Sequence, residues 1–324
     1  MNRTPLYKPA LAWSAALGSL WVFVLVMLGA FTTSIGAGMV FPDWPLSNGS
    51  LNPTGWLTDL AMFAEHSHRL SAAVMSTITY IIGVWIWRTE ERAWLRRLAL
   101  FAALLVLAQA VVGGLRVLFD HLPVESLETS VGRLFAMLHA CLAQAFVCTL
   151  FAVALACSRL WMEQHAGLKG TVGARTLALG RWCVGLLFLQ LAVAAIMRHS
   201  FAGLAIPTFP LTPEGGLVPA HWDFRVAIHF AHRLLAAVIT AALAAYGHVL
   251  WRDPAVSRAM RGLWLGVAGL LALQIFLGAK IIWTARSVYM TSGHVVMGAL
   301  TLAATFVLVM LTHRDWFGAA QPAA

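Results

Sequence analysis

The chain has 324 residues, of which 60% are hydrophobic and 11% charged, with a formal net charge of +9 and a mean hydropathy of +0.79. Soluble domains average roughly 25% charged residues, so this composition excludes an ordinary soluble domain and indicates a polytopic helical membrane protein. The basic residues lie mostly between apolar runs and form no stripe interleaved with aromatic residues. They therefore favour membrane topology over nucleic-acid binding.

Eight apolar runs are long enough to cross a bilayer, since each is near or above the roughly 20 residues that a spanning helix needs. They cover residues 11–33, 63–87, 95–118, 131–158, 177–198, 226–250, 262–284 and 289–311. The connecting segments on one side carry 14 Lys and Arg residues, against 6 on the other. The positive-inside rule then predicts cytoplasmic termini, with segments 34–62, 119–130 and 199–225 outside.

The two halves of the chain resemble each other. EHSHRL (Glu65 to Leu70) matches HFAHRL (His229 to Leu234) at an offset of 164 residues. SIGAGMVFPDWPL, starting at residue 34, matches HSFAGLAIPTFPL, and QAVVGGL, starting at residue 109, matches QIFLGAK, both at an offset of 165. We therefore predict a tandem, parallel repeat of two four-helix bundles, residues 1–165 and 166–324.

Four of the twelve histidines combine depth with this symmetry: His68, His139, His232 and His294. Each lies five to eight residues from the outer start of its helix, which places all four roughly 7–12 Å below the outer surface. Two histidines on facing helices can supply both axial positions of a haem iron. Glycines that could give space to the ring are Gly113, Gly114, Gly132, Gly278, Gly293 and Gly298.

Other interpretations stay open for these histidines. A single buried histidine often forms only a hydrogen bond between helices, and zinc is disfavoured because no third ligand recurs around each pair. His165 and His313 are expected to be solvated and His248 interfacial. His121, His199 and His221 lie near the outer surface without an assigned role, and the roles of His66 and His229 are equally open.

Glu65 breaks the symmetry, because its counterpart in the second half is His229. A carboxylate at this depth is costly and usually functional, so we expect a reactive first site and a stable redox second site. The competing interpretation is a hydrogen bond to a neighbouring helix or to His66. Arg69 and Arg233 follow the ligand histidines and suit either haem propionates or an anchor to lipid headgroups.

The chain resembles the haem A synthase family over essentially its whole length. The resemblance rests on GAGMVFPDWPL after the first span, EHSHRL, LHACLAQ around His139, HFAHRL, and SGH ending at His294. It implies a multi-pass protein of a bacterial-type inner membrane that oxidises a methyl group of haem O to the formyl group of haem A, by two hydroxylations and loss of water.

The resemblance also implies roles for particular residues. His68 and His139 would flank the substrate haem O, His232 and His294 would ligate a permanent haem b, and Glu65 would be catalytic together with the first histidine pair. Haem O synthase is an expected partner because it makes the substrate, and an electron donor or acceptor is implied but not identified. No nucleic-acid partner is expected.

Two departures from the family pattern matter. Thr33 stands where many relatives have an arginine, and residues 34–62 lack the cysteine pair that many relatives carry. The Asp43-Trp44-Pro45 string is interpreted as loop structure at the outer face. The main alternative function is a di-haem cytochrome b that only transfers electrons, and a transporter is a weaker third interpretation.

Overall fold

Eight helices of the computed structural model, which describes residues 7–163 and 167–317, are long and apolar enough to cross a membrane. In chain order the elements are α1 (Pro9–Ser34), α2 (Leu60–Thr89), α3 (Ala93–Leu118), β1 (Pro123–Val124), β2 (Thr129–Ser130), α4 (Val131–Cys157), the single turn α5 (Arg159–Met162), α6 (Ala174–His199), α7 (Phe224–Arg252), α8 (Arg258–Trp283) and α9 (Val288–Thr312). The two short strands pair antiparallel. The predicted all-α polytopic fold is therefore confirmed.

Side-chain caps fix where several spans begin. The Asp59 carboxylate accepts a hydrogen bond from the Met62 amide at the start of α2, and Asp223 accepts from Val226 at the start of α7. Ser130 and Ser257 cap α4 and α8 in the same way. Such caps satisfy amides that have no partner within the helix, which matters most where the chain enters lipid.

Helix bounds repeat along the chain at the offset found in the sequence. Helices α1 and α6 are both 26 residues long and begin at Pro9 and Ala174, and α3 and α8 are both 26 residues long and begin at Ala93 and Arg258. The tandem duplication itself stays a prediction. Its boundary between residues 165 and 166, together with His165, lies outside the described residues.

Helices α4 and α9 lie innermost. In each of them 61% of the apolar window is buried, against 17–33% in the other six spans. Helix α9 packs on α1, α4, α6 and α8, and α4 packs on α1, α3 and α6. The last helix of each predicted bundle therefore joins the two bundles, and the outer helices present apolar side chains such as Leu104, Val238 and Phe276 to the surroundings.

The long connections 35–59 and 200–223 lie on one side of the molecule, which we call the loop face. Helix α1 begins and α9 ends on the opposite side, the terminal face. His68 and His232 each lie eight residues after the first residue of their helix. Both histidines are thus close to the loop face, at a depth of about 12 Å from a rise of 1.5 Å per residue.

Candidate functional site

The first histidine pair lies against two glycines of neighbouring helices. A Cβ atom on Gly29 of α1 would come 2.9 Å from His68 Cε1, and one on Gly113 of α3 would come 2.9 Å from His139 Cε1. His139 lies within electrostatic range of His68. Among the described residues the Nδ1 atoms of both imidazoles are buried without a hydrogen-bond partner, and buried polar atoms normally have a partner such as protein, water or an ion.

The second pair has a similar arrangement. The ring centroids of His232 and His294 are 6.4 Å apart, with an interplanar angle of 61°. His294 Nδ1 lies 3.0 Å from the Gln274 carbonyl oxygen, so this nitrogen carries the proton and donates. The Gln274 amide donates to His294 Nε2 at 3.2 Å, which makes Nε2 the acceptor and hence the nitrogen with metal-binding character.

The spacing of the second pair suits one metal ion between the two rings. Metal–imidazole bonds are about 2.0–2.1 Å long, and a centroid separation of 6.4 Å is compatible with one ion between the two rings. Gly278 lies beside His294, where a Cβ would come 3.2 Å from Cε1. On the other ring, Gln190 Nε2 approaches His232 Nδ1 at 3.1 Å and also donates to the His232 carbonyl at 3.0 Å.

Glu65 joins α2 to the loop that follows α1. Its Oε1 atom pairs with Arg69 Nη2 at 2.6 Å, and its Oε2 atom accepts hydrogen bonds from the amides of Val40 at 2.7 Å and Phe41 at 3.2 Å. The carboxylate is buried, with 4% of the residue exposed. Glu65 therefore acts as an acceptor in this network, in line with an ionised carboxylate.

Arg69 holds the same loop through its main-chain carbonyls. Its Nη1 atom donates to Asp43 O at 2.7 Å and to Leu46 O at 2.5 Å, and Nη2 donates to Phe41 O at 3.1 Å. The guanidinium also lies over the Phe41 ring, 5.4 Å from its centroid. Since these contacts use both terminal nitrogens, the predicted role of Arg69 toward haem propionates stays a prediction.

The second half repeats this tether with an imidazole in place of the carboxylate. Ile206 N donates to His229 Nδ1 and Arg233 Nε donates to His229 Nε2, both at 3.2 Å. Arg233 also donates to the carbonyls of Ile206 and Thr208. A neutral imidazole has one acceptor nitrogen, so the two contacts to His229 cannot both be full hydrogen bonds at once, whereas Glu65 accepts all of its contacts together.

Asp43 organises the turn within the first loop, as the interpretation of the Asp43-Trp44-Pro45 string as loop structure expects. Its carboxylate accepts from the amides of Asn48 at 2.8 Å and Gly49 at 2.7 Å. Partial burial raises the pKa of Asp43, but these backbone hydrogen bonds outweigh it, and the net pKa lies below the ordinary value. Trp44 packs directly on Gly114 of α3, with ring atoms 2.5–2.8 Å from the position of a Cβ.

Comparison with known proteins assigns the family. A model of the COX15-CtaA family, described as cytochrome oxidase assembly protein, matches residues 12–306, which include all four histidines and Glu65. The chain belongs to this family. The predicted family resemblance is therefore confirmed.

Among similar proteins are three named heme A synthase. That of Geobacillus kaustophilus is 24% identical over 313 residues, covering 94% of this chain and 92% of the relative. That of Bacillus mycoides is 24% identical over 314 residues, covering 95% of both chains. That of Bacillus cereus strain 03BB102 is 24% identical over 322 residues, covering 96% of both. These matches thus cover more than nine tenths of each chain.

The structure adds basic residues to the site that the sequence did not single out. Arg116 of α3 contacts Gly38 with its guanidinium and lies within electrostatic range of Glu65 and Asp120. Arg198 of α6 donates from Nη2 to Ala30 O and Ser34 Oγ of α1, both at 2.9 Å, and so links the two halves of this family member. In the sequence these two arginines are only basic residues at helix ends near the outer face, and nothing there indicates which acceptors they reach.

Several of the remaining expectations can be compared with the structure directly. His313 was expected to be solvated, and this is wrong: it is 5% exposed, contacts Arg181 through Nε2 and donates from Nδ1 to Val309 O. Burial lowers the pKa of His313. His66 Nδ1 lies 3.0 Å from Ser47 Oγ, and His221 is exposed.

Of the six glycines proposed to give space to a ring, Gly113 lies against His139 and Gly278 lies against His294. The other four do not contact these histidines. Gly114 packs against Trp44, Gly132 permits close approach of α4 to the backbone of Arg116 and Asp120, and Gly293 and Gly298 lie beside Leu277 and Gln274. Gly29, which the sequence analysis missed, lies against His68. Its only signal was a glycine within an apolar span one helix before the histidine.

Proposed function

We propose that this protein is a haem A synthase, an oxidoreductase that converts a ring methyl group of haem O into the formyl group of haem A for haem–copper oxidases. The match of the COX15-CtaA family to residues 12–306 carries the proposal. The end-to-end similarity to three proteins named heme A synthase supports it. The protein is accordingly a multi-pass membrane protein, and we infer that both termini are cytoplasmic.

The residues present fit two haem groups. In this proposal His68 and His139 hold the iron of the substrate haem O within residues 1–165, and His232 and His294 hold a haem b within residues 166–324. The support is glycines beside His68, His139 and His294, partnerless Nδ1 atoms in the first pair among the described residues, and an acceptor Nε2 on His294. When bound, haem supplies the redox chemistry, and the protein supplies orientation and electrostatics.

Glu65 is the proposed catalytic group of the first site. Tethering alone does not require a carboxylate at this position, because His229 contacts the loop and Arg233 in the second half, although a neutral imidazole cannot accept both contacts at once. What the carboxylate adds is negative charge close to the first histidine pair. Such a group can stabilise positive charge that develops at the reacting methyl carbon, or accept the proton released there.

The family assignment does not favour the alternative of a di-haem cytochrome b that only carries electrons. Haem O is therefore treated as substrate rather than as a second permanent cofactor. Haem O synthase, an electron donor or acceptor, and the surrounding lipid bilayer complete the proposed partners. Arg69 and Arg233 complete the proposed cofactor-binding residues, through the loops that they hold over the two sites.

The test is to supply the protein with haem O in a host that lacks haem A, and to identify the extracted haems by chromatography and mass. Haem A, or its hydroxymethyl precursor, is the expected product. Glu65→His is the informative variant, because it gives the first half the imidazole that the second half has at the matching position, His229. Loss of a positioned proton-transfer group costs about 100–10,000-fold in rate, so haem O should accumulate. Because the variant also removes the buried carboxylate partner of Arg69, haem A formation is expressed per folded protein, measured by the yield of monodisperse protein.

His229→Glu is the matched control, since it places the carboxylate in the second half and should leave haem A formation largely intact. If Glu65→His made haem A at the normal rate, Glu65 would be a loop anchor and not a catalytic residue. If the unaltered protein contained only haem b, at two per chain with haem O unchanged, the electron-transfer cytochrome would replace the synthase proposal.

A further inference from the structure

The ring of His232 is contacted by a glutamine from a neighbouring helix. Gln190 of α6 donates from Nε2 to the His232 carbonyl at 3.0 Å, and the same nitrogen lies 3.1 Å from His232 Nδ1 and 3.5 Å from His232 Nε2. Because it is almost equally far from the two ring nitrogens, it does not lie along the lone pair of either one and sits over the face of the imidazole. An amide N–H that faces an aromatic ring makes a weak, directional contact. One amide thus contacts the backbone and the ring of the same histidine, which restricts rotation of that ring.

The other ring of the pair is fixed from a different helix. His294 donates from Nδ1 to the main-chain carbonyl of Gln274 on α8, 3.0 Å away. Such a hydrogen bond sets the orientation of a metal-binding imidazole. The 61° angle between the planes of His232 and His294 is therefore determined by two residues, one on α6 and one on α8.

The first bundle has no glutamine in the place of Gln190. Helices α1 and α6 begin at residues 9 and 174, so Leu25 stands at the equivalent position. His68 instead lies against Gly29, four residues after Leu25, and its Nδ1 atom has no hydrogen-bond partner among the described residues. In the second bundle Ala194 stands where the first has Gly29. Packing on a glycine therefore positions the ring in the first bundle, whereas an amide positions it in the second.

Stability of the fold does not explain the presence of Gln190. Its Oε1 atom is buried without a hydrogen-bond partner in the part of the chain that the structure describes, and an unpaired buried acceptor costs free energy. Leu25 shows that this position of the scaffold accepts an apolar side chain. A polar side chain in an apolar span is expensive and usually functional, so Gln190 is better explained by what its amide does to His232.

We propose that Gln190 is a positioning residue for the cofactor site of the second bundle, which holds the His232 imidazole at a fixed angle to His294 and thereby tunes the ferric–ferrous balance of a haem iron bound by this pair. The inference rests on the proposed function, which assigns the pair to haem b. Hydrogen bonding around an axial ligand is one of the means by which a protein sets the potential of haem iron. The amide N–H places partial positive charge over the ring, which disfavours ferric relative to ferrous iron.

The experiment is an optical redox titration of haem b in the purified full-length protein carrying His68→Ala, which leaves the second pair as the complete histidine pair. Gln190→Leu supplies the residue of the first bundle, and Gln190→Met supplies a side chain of similar length without an amide. In both variants ferric haem should bind about threefold to tenfold more tightly relative to ferrous haem, which lowers the potential by about 30–60 mV for a one-electron couple. The ferric EPR spectrum, which depends on the angle between the two imidazole planes, should shift in both.

Leu25→Gln in the same background is the matched control, because it makes the reverse exchange at the equivalent position of the first bundle and should leave the potential and the EPR spectrum unchanged. Thermal unfolding of the haem-free protein should be no easier in Gln190→Leu than in the unaltered chain. An unchanged potential and EPR spectrum in both Gln190 variants would overturn the proposal. A change in Gln190→Leu that Gln190→Met did not share would also overturn it, since the side chain would then act through its volume. Absence of haem b from the His68→Ala protein with Gln190 intact would instead count against the proposed second site.

Discussion

Gly113 provides the sharpest test of the first histidine pair. A Cβ at Gly113 would lie 2.9 Å from His139 Cε1 and 3.2 Å from its Nδ1. Carbon atoms in favourable contact are about 3.5–4.0 Å apart, so Gly113→Ala must displace the imidazole by roughly 0.6–1.1 Å. A misplacement of about 1 Å near a reacting group costs about 100-fold in rate. We therefore expect haem A formation to fall by about 100-fold in this variant.

The same substitution should not weaken the helix itself. Alanine in place of glycine within a helix stabilises it by about 0.5–1 kcal/mol, so lost activity in Gly113→Ala would not reflect a less stable helix. Gly278→Ala, where the Cβ would lie 3.2 Å from His294 Cε1, needs a smaller displacement and should mainly perturb the spectrum of the second site. Gly185→Ala, with no neighbouring atom within 4 Å of the new Cβ, is the control for the substitution itself.

Haem A yield per protein and the optical spectrum of the bound haem are the two measurements. Full haem A formation with an unchanged spectrum in Gly113→Ala would refute the assignment of His139 to the substrate site. A loss equal to that of Gly185→Ala would show that the effect is general to glycine replacement in this fold.

Three further predictions concern the scaffold. Arg69→Met breaks a buried ion pair and should lower the free energy of unfolding by roughly 3–5 kcal/mol in chemical denaturation, whereas Arg159→Met, which breaks the exposed pair with Glu163, should have no measurable effect. Because the pKa of Asp43 is lowered in the folded state, the stability that Asp43 gives the loop is present above the ordinary carboxyl pKa and is lost as the pH falls through the folded value. Proteolysis of residues 47–52 should therefore accelerate in acid, and the same segment of Asp43→Asn should be cleaved at every pH. Protection of this segment that did not change with pH would contradict the prediction. Trp264→Ala should destabilise the second bundle by up to about 3 kcal/mol in thermal unfolding, because the Trp264 indole packs directly on Gly247, and an unchanged midpoint would show that this packing does not stabilise the bundle.

The helices were predictable from the sequence because burial in lipid is a local property of each segment. The predicted start of the fourth span at residue 131 coincides with the observed one, and the first was placed two residues late at its start. Caps such as Asp59 and Asp223, which sharpen these limits, are visible in the sequence only once the helix start is known. The similar depths of the four histidines were predictable in the same way, because depth follows from residue counts along straight helices, whereas their roles as haem ligands stay predictions.

The contacts of the loops were not predictable in this way. Arg69 and Arg233 looked available for propionates, yet both donate to loop carbonyls some 25 residues earlier in the chain. The polar character of an arginine does not tell which acceptor lies nearest in three dimensions. The prediction that His313 is solvated was wrong for the same reason. The side chains that cover it are Arg181 of α6 and Trp316, which follows α9.

The differences between the two bundles point in one direction. At equivalent positions the first bundle has Glu65 where the second has His229, Ser71 where the second has Leu235, and Ala99 where the second has Trp264. Electron transfer between two permanent haems does not require a carboxylate beside one histidine pair only, whereas oxidation of a bound group gains from a charge placed near the reacting carbon. The exchange of Glu65 for His229 therefore favours the proposed reaction over two electron-transfer sites of the same kind.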